Sequence, residues 1–484
     1  MVDDVVFDII RLFCEKNSEA AEKEEGGIIL HVNSSWVPTI EEVEKLVFSK
    51  YSSGEVSKEE IKECYGDIID LIENGKLFSS DVFRPNANTL KNRHTDIKAL
   101  CLHVSHACDL TCSYCFAGQG KFNGPSALMT FDVAKRAIDF LVENSGSRRN
   151  LEVDFFGGEP LLNFDVVRET VSYARSIEEE KGKHFRFTLT TNGTGITDEV
   201  IEFANKECHN VVLSLDGRKE VHDRERRTAS GEGSYDIIVP KFQKMVAART
   251  NNDNGNTNYY IRGTFTHYNP DFTNDLYHMV DLGFTELSME PVVCDPESRF
   301  ALTEEDLPIL MEEYEKLAIE MLRRERAGGT DGKDRPFTFY HYMIDLENGP
   351  CIYKRVSGCG SGTEYFAVTP KGELYPCHQF VGDEKYLMGD IWDGISEKAS
   401  CEGGKSGADI RDEFKQCNVY SRNECDDCWA KFYCSGGCAA NAYHASGDIR
   451  GIYEYGCKLF RKRMECAIMM EIARAVEREK DENQ

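Results

Sequence analysis

A chain of 484 residues with 57 lysines and arginines against 84 aspartates and glutamates has a net charge of −27. That balance speaks against a nucleic-acid partner, because phosphate binding needs a basic stripe. With 41% apolar residues the composition is that of a globular protein large enough for several units, and no apolar run approaches the roughly 20 residues of a membrane span. The acidic start, Met1-Val2-Asp3-Asp4, has neither the basic region nor the apolar stretch of a signal peptide, so a cytoplasmic location without membrane association is expected. In a reducing compartment the 19 cysteines read as metal ligands or reactive thiols rather than as disulfides.

In chain order, Val5, Phe7, Ile9, Ile10 and Phe13 mark a first amphipathic helix. A second is predicted over 40–51 and a third over 61–77, stopped by Asn74-Gly75. A short apolar stretch at 28–32 is a candidate strand. Residues 1–90 thus read as a small helical domain of winged-helix type, followed by a linker over 83–93. From residue 98 strands are predicted over 99–104, 151–156, 185–190, 211–215, 259–266 and 286–291, with helices such as 131–144 and 164–181 between them. Six alternating units predict an α/β fold over 98–330, a parallel sheet that is open or curled into a partial (β/α)6 TIM-like barrel, with its site at the carboxyl ends of the strands. A polar loop at 251–256, a long helix over 303–326 and a Gly/Asp-rich break at 328–332 follow. The chain is then cysteine-rich and irregular until a last helix over 459–477.

The run Cys108-Asp-Leu-Thr-Cys112-Ser-Tyr-Cys115 lies on the loop after the first predicted strand. A [4Fe–4S] cluster fully held by protein takes four thiolates; three leave one iron open, the mark of a catalytic rather than a structural metal site. Taken alone, the run also suits zinc or three unrelated thiols. The second strand ends in Gly157-Gly158-Glu159-Pro160, where glycines let backbone approach a ligand and the carboxylate can accept from an ammonium group. Thr190-Thr191-Asn192-Gly193 closes the third strand and Ser214-Leu215-Asp216-Gly217 the fourth, with Arg224, Arg226 and Arg227 beyond it. These elements, in this order, resemble those of the radical S-adenosylmethionine (SAM) family, with its CxxxCxxC motif, the aromatic Tyr114 before the last cysteine and a GGEP element. The resemblance implies that Cys108, Cys112 and Cys115 hold a catalytic [4Fe–4S] cluster whose open iron takes the amino and carboxylate groups of SAM. It implies a cofactor site made of Tyr114, Gly157, Gly158, Glu159, Asn192, Ser214, Asp216 and Arg227, in which Ser214 and an arginine meet ribose and carboxylate. Arg227 is the choice here, against Arg224 and Arg226. His103 and His106 read as structural.

The C-terminal cysteines are Cys359 and Cys377, with Gly372 between them, then Cys425, Cys428, Cys434 and Cys438, then Cys457. By itself the CxxC block suits a zinc-ribbon site. Behind a radical SAM core the seven resemble the SPASM signature of peptide maturases, which implies two auxiliary clusters, hence three [4Fe–4S] clusters in all. By motif position Cys425, Cys428, Cys434 and Cys457 would hold auxiliary cluster II, and Cys359, Cys377 and Cys438 auxiliary cluster I. Cluster I is then one ligand short, because the cysteine that sulfatase-maturing relatives carry after the first SPASM cysteine is missing from 360–366. Either Cys351, eight residues upstream of Cys359, closes it, or it is open to a substrate thiol, which a metal would deprotonate; the open site is preferred. The aspartate those relatives place after the second SPASM cysteine is replaced by His378, a base or a satisfied polar residue. Cys14, Cys64, Cys101, Cys208, Cys294, Cys351, Cys401, Cys417 and Cys466 remain, most of them expected in the core.

Residues 357–365 and 375–380 carry the most specific resemblance, to the maturases of SCIFF (six cysteines in forty-five) peptides. It implies an enzyme that installs cysteine thioether crosslinks in a ribosomally made, cysteine-rich precursor through a 5′-deoxyadenosyl radical. Residues 1–90 would recognise the leader as an added strand, 98–330 would be the radical SAM core and 345–470 the SPASM domain. An electron donor of flavodoxin or ferredoxin type is implied as partner. The alternatives are another radical modification of a peptide (a carbon–carbon crosslink, epimerisation or formylglycine formation) and, more remotely, a non-catalytic metal-binding scaffold.

Overall fold

In the computed structural model the described residues are 9, 12–13, 16, 37–51, 54, 56–74, 83–85, 96–250, 258–330, 332–346, 351–399, 401 and 404–482. They fall into two compact units, a smaller one from 1–89, 423–429 and 467–484 and a larger one from 90–422 and 430–466. The strand expected at 28–32, the loop at 251–256 and most of the linker over 83–93 lie outside the described residues.

The smaller unit is built on α1 (Ile40–Lys50) and α2 (Lys58–Glu73). Each starts with a reciprocal cap: Glu42 N donates to Thr39 Oγ1 at 3.3 Å while Thr39 N donates to Glu42 Oε2 at 2.8 Å, and Ser57 and Glu60 repeat the arrangement. The apolar stripes of both helices meet in a core of Val43, Val47, Ile61, Ile68 and Ile72, joined by Ile9 and Phe13 of the first predicted helix. Helix α2 starts three residues before the pattern over 61–77 and stops at the Asn74 read as its end, whose N–H donates to Asp70 O; residues 75–77 lie outside the described residues.

The larger unit is organised by one sheet. Its parallel strands are β1 (Ala99–Ser105), β2 (Asn150–Gly157), β3 (His184–Thr191), β4 (Cys208–Ser214), β5 (Asn258–Phe265), β6 (Glu286–Pro291) and β7 (Thr338–Phe339), hydrogen-bonded in sequence order. Between them run α3 (Phe131–Glu143), α4 (Phe164–Lys181), α5 (Asp198–Glu207), α6 (Lys219–Glu225), α7 (Tyr235–Thr250), α8 (Phe272–Asp281) and α9 (Leu307–Ala327). All six strands read from the sequence are present within a few residues, and β7 is added to them. Helix α9 begins later than 303 because Asp306 is occupied as an acceptor for Thr303 N and Oγ1, at 2.7 and 3.0 Å, ahead of Pro308.

Part of the region expected as the SPASM domain over 345–470 pairs with this sheet. An edge strand leaves backbone groups unpaired, and on the free edge of β1 the strand β8 (Tyr365–Val368) pairs in parallel, from Ala99↔Tyr365 to Leu102↔Val368. Strands β9 (Glu373–Tyr375), β10 (Gly389–Asp390) and β11 (Gly394–Ile395) follow antiparallel. Short helices α10 (Ile352–Ser357), α11 (Gly407–Gln416), α12 (Lys431–Cys434) and α13 (Ala439–Ser446) carry the remaining cysteine-rich chain, and α14 (Glu454–Glu482) closes it.

Alternation along the strands sorts the two faces. On β5, Tyr259, Ile261 and Phe265 are buried, with Phe265 stacked on Phe272 of α8 at 4.8 Å. Tyr260, Arg262 and Thr264 take the opposite, inner face, in register with Ser214 of β4 and Ser288 of β6 at Arg262. Arg249 of α7, fully buried, donates to the carbonyls of Ala204, Cys208, His209 and Asn258 at 2.5–3.0 Å and ties α5, β4 and β5 together. Replacing it by methionine strands those acceptors; the R249M protein is expected to lose about 2–4 kcal/mol in urea denaturation.

Candidate active site

The loop after β1 carries Cys108, Cys112 and Cys115, and its path is set by β2. Gly158 N donates to Ser105 O at 2.8 Å and Glu159 N to Ala107 O at 2.9 Å. A Cβ at Gly157 (φ +125°) would lie 2.3 Å from Ser105 O, and one at Gly158 2.2 Å from Ala107 O. The glycine pair is therefore demanded by the protein's own cysteine loop. On its other side the loop lies along the segment after α6: Thr111 N donates to Arg227 O at 2.7 Å and Ser113 N to Glu225 O at 3.1 Å.

Glu159 is 1% exposed. It accepts from Leu161 N at 3.0 Å, Thr191 Oγ1 at 2.7 Å and Asn192 N at 2.8 Å. Burial nevertheless pushes its carboxyl up to about 7. Asn192 reaches the cysteine loop directly: Nδ2 donates to Asp109 Oδ1 at 2.8 Å and stands 3.6 Å from Cys108 Sγ. At the end of β4, Asp216 accepts from Tyr114 Oη at 2.5 Å, Arg226 Nε at 2.9 Å and Thr264 N at 3.0 Å. Burial raises the Asp216 carboxyl, but the charge and hydrogen bond of Arg226 outweigh it and hold it below the usual carboxylate range. The guanidinium of Arg226 also sits 5.5 Å from the Tyr114 ring centroid. Ser214, half-buried, ends β4 beside these groups.

Arg227 is placed elsewhere. It is exposed and donates to Arg224 O at 3.3 Å and Gly231 O at 3.4 Å, closing a turn. Arg226 is the arginine the structure brings to Asp216 and Tyr114, and nothing in the triplet Arg224, Arg226, Arg227 could have separated them by sequence. His103 and His106 form a buried pair, Nδ1 to Nε2 3.1 Å, packed on Phe122.

Burial pushes the Cys108 thiol up to about 12 and that of Cys112 to about 11, the latter despite Arg226, so iron would have to displace their protons to bind. Among the described residues no three or more His, Cys, Asp or Glu side chains converge on one point as a single ion requires. Thiolates of a cubane cluster each take their own iron, and three cysteines on one buttressed loop, beside a buried carboxylate and polar strand ends, fit that group and a SAM molecule next to it.

In the larger unit, Cys377 follows β9 and Cys438 precedes α13, while Cys359 follows α10. Burial raises the Cys377 thiol, and Cys438 and Cys359 act on it from nearby. Cys351 caps the other end of α10 and is exposed. Cys434 ends α12 and Cys457 lies on α14; Cys425 and Cys428 belong to the smaller unit, where Cys428 N donates to Cys425 O at 3.3 Å. His378 packs on Phe156 of β2, ring centroids 5.1 Å apart, with Nδ1 3.4 Å from Tyr365 Oη. Burial and Arg262 lower it to about 4, which keeps it neutral. Asp154 on the inner face of β2 is raised by burial and Glu152 to about 7. These inner-face groups escaped the sequence reading, although the polar residues at every second position of β2 and β5 signal them.

Residues 102–260 match the model of the radical SAM superfamily. The chain is 24% identical over 354 residues to a cysteine-type anaerobic sulfatase-maturating enzyme of Clostridium novyi, covering 70% of this chain and 86% of that protein. It is 22% identical over 400 residues to the radical SAM cyclopropyl synthase TigE of Paramaledivibacter caminithermalis, covering 80% and 75%. A shorter match, 32% identical over 138 residues, is to an uncharacterized protein of Methanocaldococcus jannaschii, of whose length the chain spans 45%. The solved structure of anSMEcpe with bound AdoMet shares the fold, with a TM-score of 0.61 at 18% identity over 78% of this chain and 99% of that one. The protein carries a radical SAM domain. It is a maturase-like radical SAM enzyme with homology to the anaerobic sulfatase-maturating enzymes, and its class uses SAM and an iron–sulfur cluster. Among the described residues no helix is long and apolar enough to cross a membrane.

Two outcomes are expected. Arg226→Met leaves Asp216 buried without its counter-charge and costs about 3–5 kcal/mol in denaturant titrations, whereas Arg227→Met stays within about 0.5 kcal/mol of wild type. The raised carboxyl of Asp154 stabilises the fold below the unfolded value of about 4 and loses that contribution as pH rises through its folded value. Asp154→Asn should therefore flatten the fall in thermal stability between about pH 4 and pH 7 by about 2–4 kcal/mol.

Proposed function

We propose that the chain is a radical SAM peptide maturase that installs cysteine thioether links in a cysteine-rich precursor. The observation that carries this reading is the set of seven C-terminal cysteines behind a radical SAM core, with residues 357–365 and 375–380 as its most specific part. Its relatives' names support a maturase, and anSMEcpe has been solved with AdoMet and a Cp18Cys peptide. Cys108, Cys112 and Cys115 hold the catalytic cluster. Glu159, Asn192, Ser214 and Asp216, with Arg226 in the place assigned to Arg227, line the SAM site together with Tyr114, Gly157 and Gly158. Bound together, the cluster and SAM supply a 5′-deoxyadenosyl radical that takes a hydrogen atom from the acceptor residue of the peptide. Cys425, Cys428, Cys434 and Cys457 hold one auxiliary cluster and Cys359, Cys377 and Cys438 another. The leader of the precursor, bound by residues 1–90, and a flavodoxin- or ferredoxin-type donor are the partners, in the cytoplasm.

A second reading, a different radical modification of a peptide, is favoured by the names of the relatives, which make formylglycine precursors' maturases and a cyclopropyl synthase its neighbours. The histidine at 378, where sulfatase maturases carry an aspartate, speaks against formylglycine formation.

Replacing Cys108, Cys112 or Cys115 by alanine is expected to abolish formation of 5′-deoxyadenosine from SAM under reducing conditions. Cys425→Ala should keep part of that cleavage and lose the peptide crosslink, read by mass spectrometry. Deoxyadenosine at the wild-type rate in the first set would overturn the assignment.

A further inference from the structure

We propose that Cys417 is the fourth thiolate of the site formed by Cys359, Cys377 and Cys438, so that auxiliary cluster I is closed by the protein. This deepens the maturase reading and rests on it. The placement comes from an open cleft whose lining includes Cys359, Cys417, Gly358, Gly360, Gly437 and Ala439, the last two flanking Cys438. Gly358, Gly360 and Gly437 adopt φ of +68°, +83° and +78°, a backbone that curls around the space without side chains filling it.

Cys417 is the C-cap of α11, with its N–H on Phe414 O. Its sulfur faces two polar groups: Ile449 O at 3.2 Å and Arg422 Nη2 at 3.1 Å. Arg422 is itself 2% exposed and held by the carbonyls of Gly451, Asn418 and Ile449 at 2.9–3.1 Å. A buried guanidinium aimed at a half-buried sulfur suits a thiolate better than a thiol. The same neighbourhood shows in the charges: besides burial, Cys359 acts on Cys417, Cys359 and Cys417 act on Cys438, and Cys438 and Cys359 on Cys377. Cys351, the other candidate, is not among the residues lining this cleft and stands at the far end of α10.

On binding iron, the Cys417 thiol gives its proton to solvent and releases Ile449 O, while Arg422 remains as a donor to the sulfur. No electron is exchanged in this step. Hydrogen bonds to cluster sulfurs raise the reduction potential, so Arg422 also biases this cluster towards accepting an electron.

The test compares wild type, Cys417→Ala, Cys417→Ser, Cys351→Ala and Cys359→Ala as full-length proteins reconstituted anaerobically, with iron and sulfide analysis and the electron paramagnetic resonance spectrum after reduction. Far-ultraviolet circular dichroism of each apoprotein checks folding. Wild type and Cys351→Ala should hold about twelve irons, four for each cluster. Cys417→Ala should fall by about four, as Cys359→Ala does, and Cys417→Ser should keep iron but shift the spectrum of one cluster. Wild-type iron and an unchanged spectrum in both Cys417 variants overturn the proposal, as does loss of iron in Cys351→Ala alone. If Cys359→Ala also keeps the full wild-type iron, the multi-cluster reading fails with it.

Discussion

A carboxylate at 1% exposure at the end of β4 survives only if its charge is met, and Asp216 draws its partners from three separate stretches of chain. Tyr114 comes from the cysteine loop, Arg226 from the segment after α6 and the Thr264 amide from β5. Fixing Tyr114 fixes the loop between Cys112 and Cys115. Fixing Arg226 fixes the segment whose carbonyls at Glu225 and Arg227 accept from Ser113 and Thr111. Gly157 and Gly158 hold the loop from the other side by close backbone approach, where no Cβ has room. Three thiols on an irregular loop thus acquire the rigidity that a metal site needs from rigid strands around it.

The strands were legible because apolar runs with period two and turn residues between them leave few alternatives, and the site residues followed because each closes a strand. Cys108, Gly157, Glu159, Asn192 and Asp216 lie at or just past the carboxyl ends of β1 to β4. Two kinds of fact were not written in the sequence. One is side-chain direction within an irregular segment: three arginines within four positions are equivalent as letters, and only the fold shows that Arg226 turns inward while Arg227 closes a turn. The other is proximity created by long-range pairing. The docking of β8 on β1 joined part of what read as the SPASM domain to the same sheet. Cys417, set far from Cys359 in sequence, entered the same cleft because α11 ends there.

The inner face of the sheet is polar but carries little net charge. Burial keeps His103 and His341 neutral, along with His378, and holds Asp154 near the boundary of ionisation. Glu290 is matched, with His341 Nε2 at 3.3 Å and Arg463 Nη1 at 3.5 Å.

If Cys417 closes auxiliary cluster I as proposed, the proposed thioether formation would have a different requirement. In an open cluster the metal would take the thiol proton of the donor cysteine. In a closed one the sulfur must lose its proton to a base before or as the carbon–sulfur bond forms. A general base works best when its pKa lies near the working pH, and burial and Arg262 hold His378 at about 4, which makes it a weak acceptor for a thiol proton. His378 directly follows Cys377, one of the thiolates of that cluster, and faces Phe156 on the inner face of β2. With Tyr365 Oη 3.4 Å from its Nδ1 and the Phe156 ring beside it, it fits a packed, satisfied polar residue, the second of the two roles its sequence position left open.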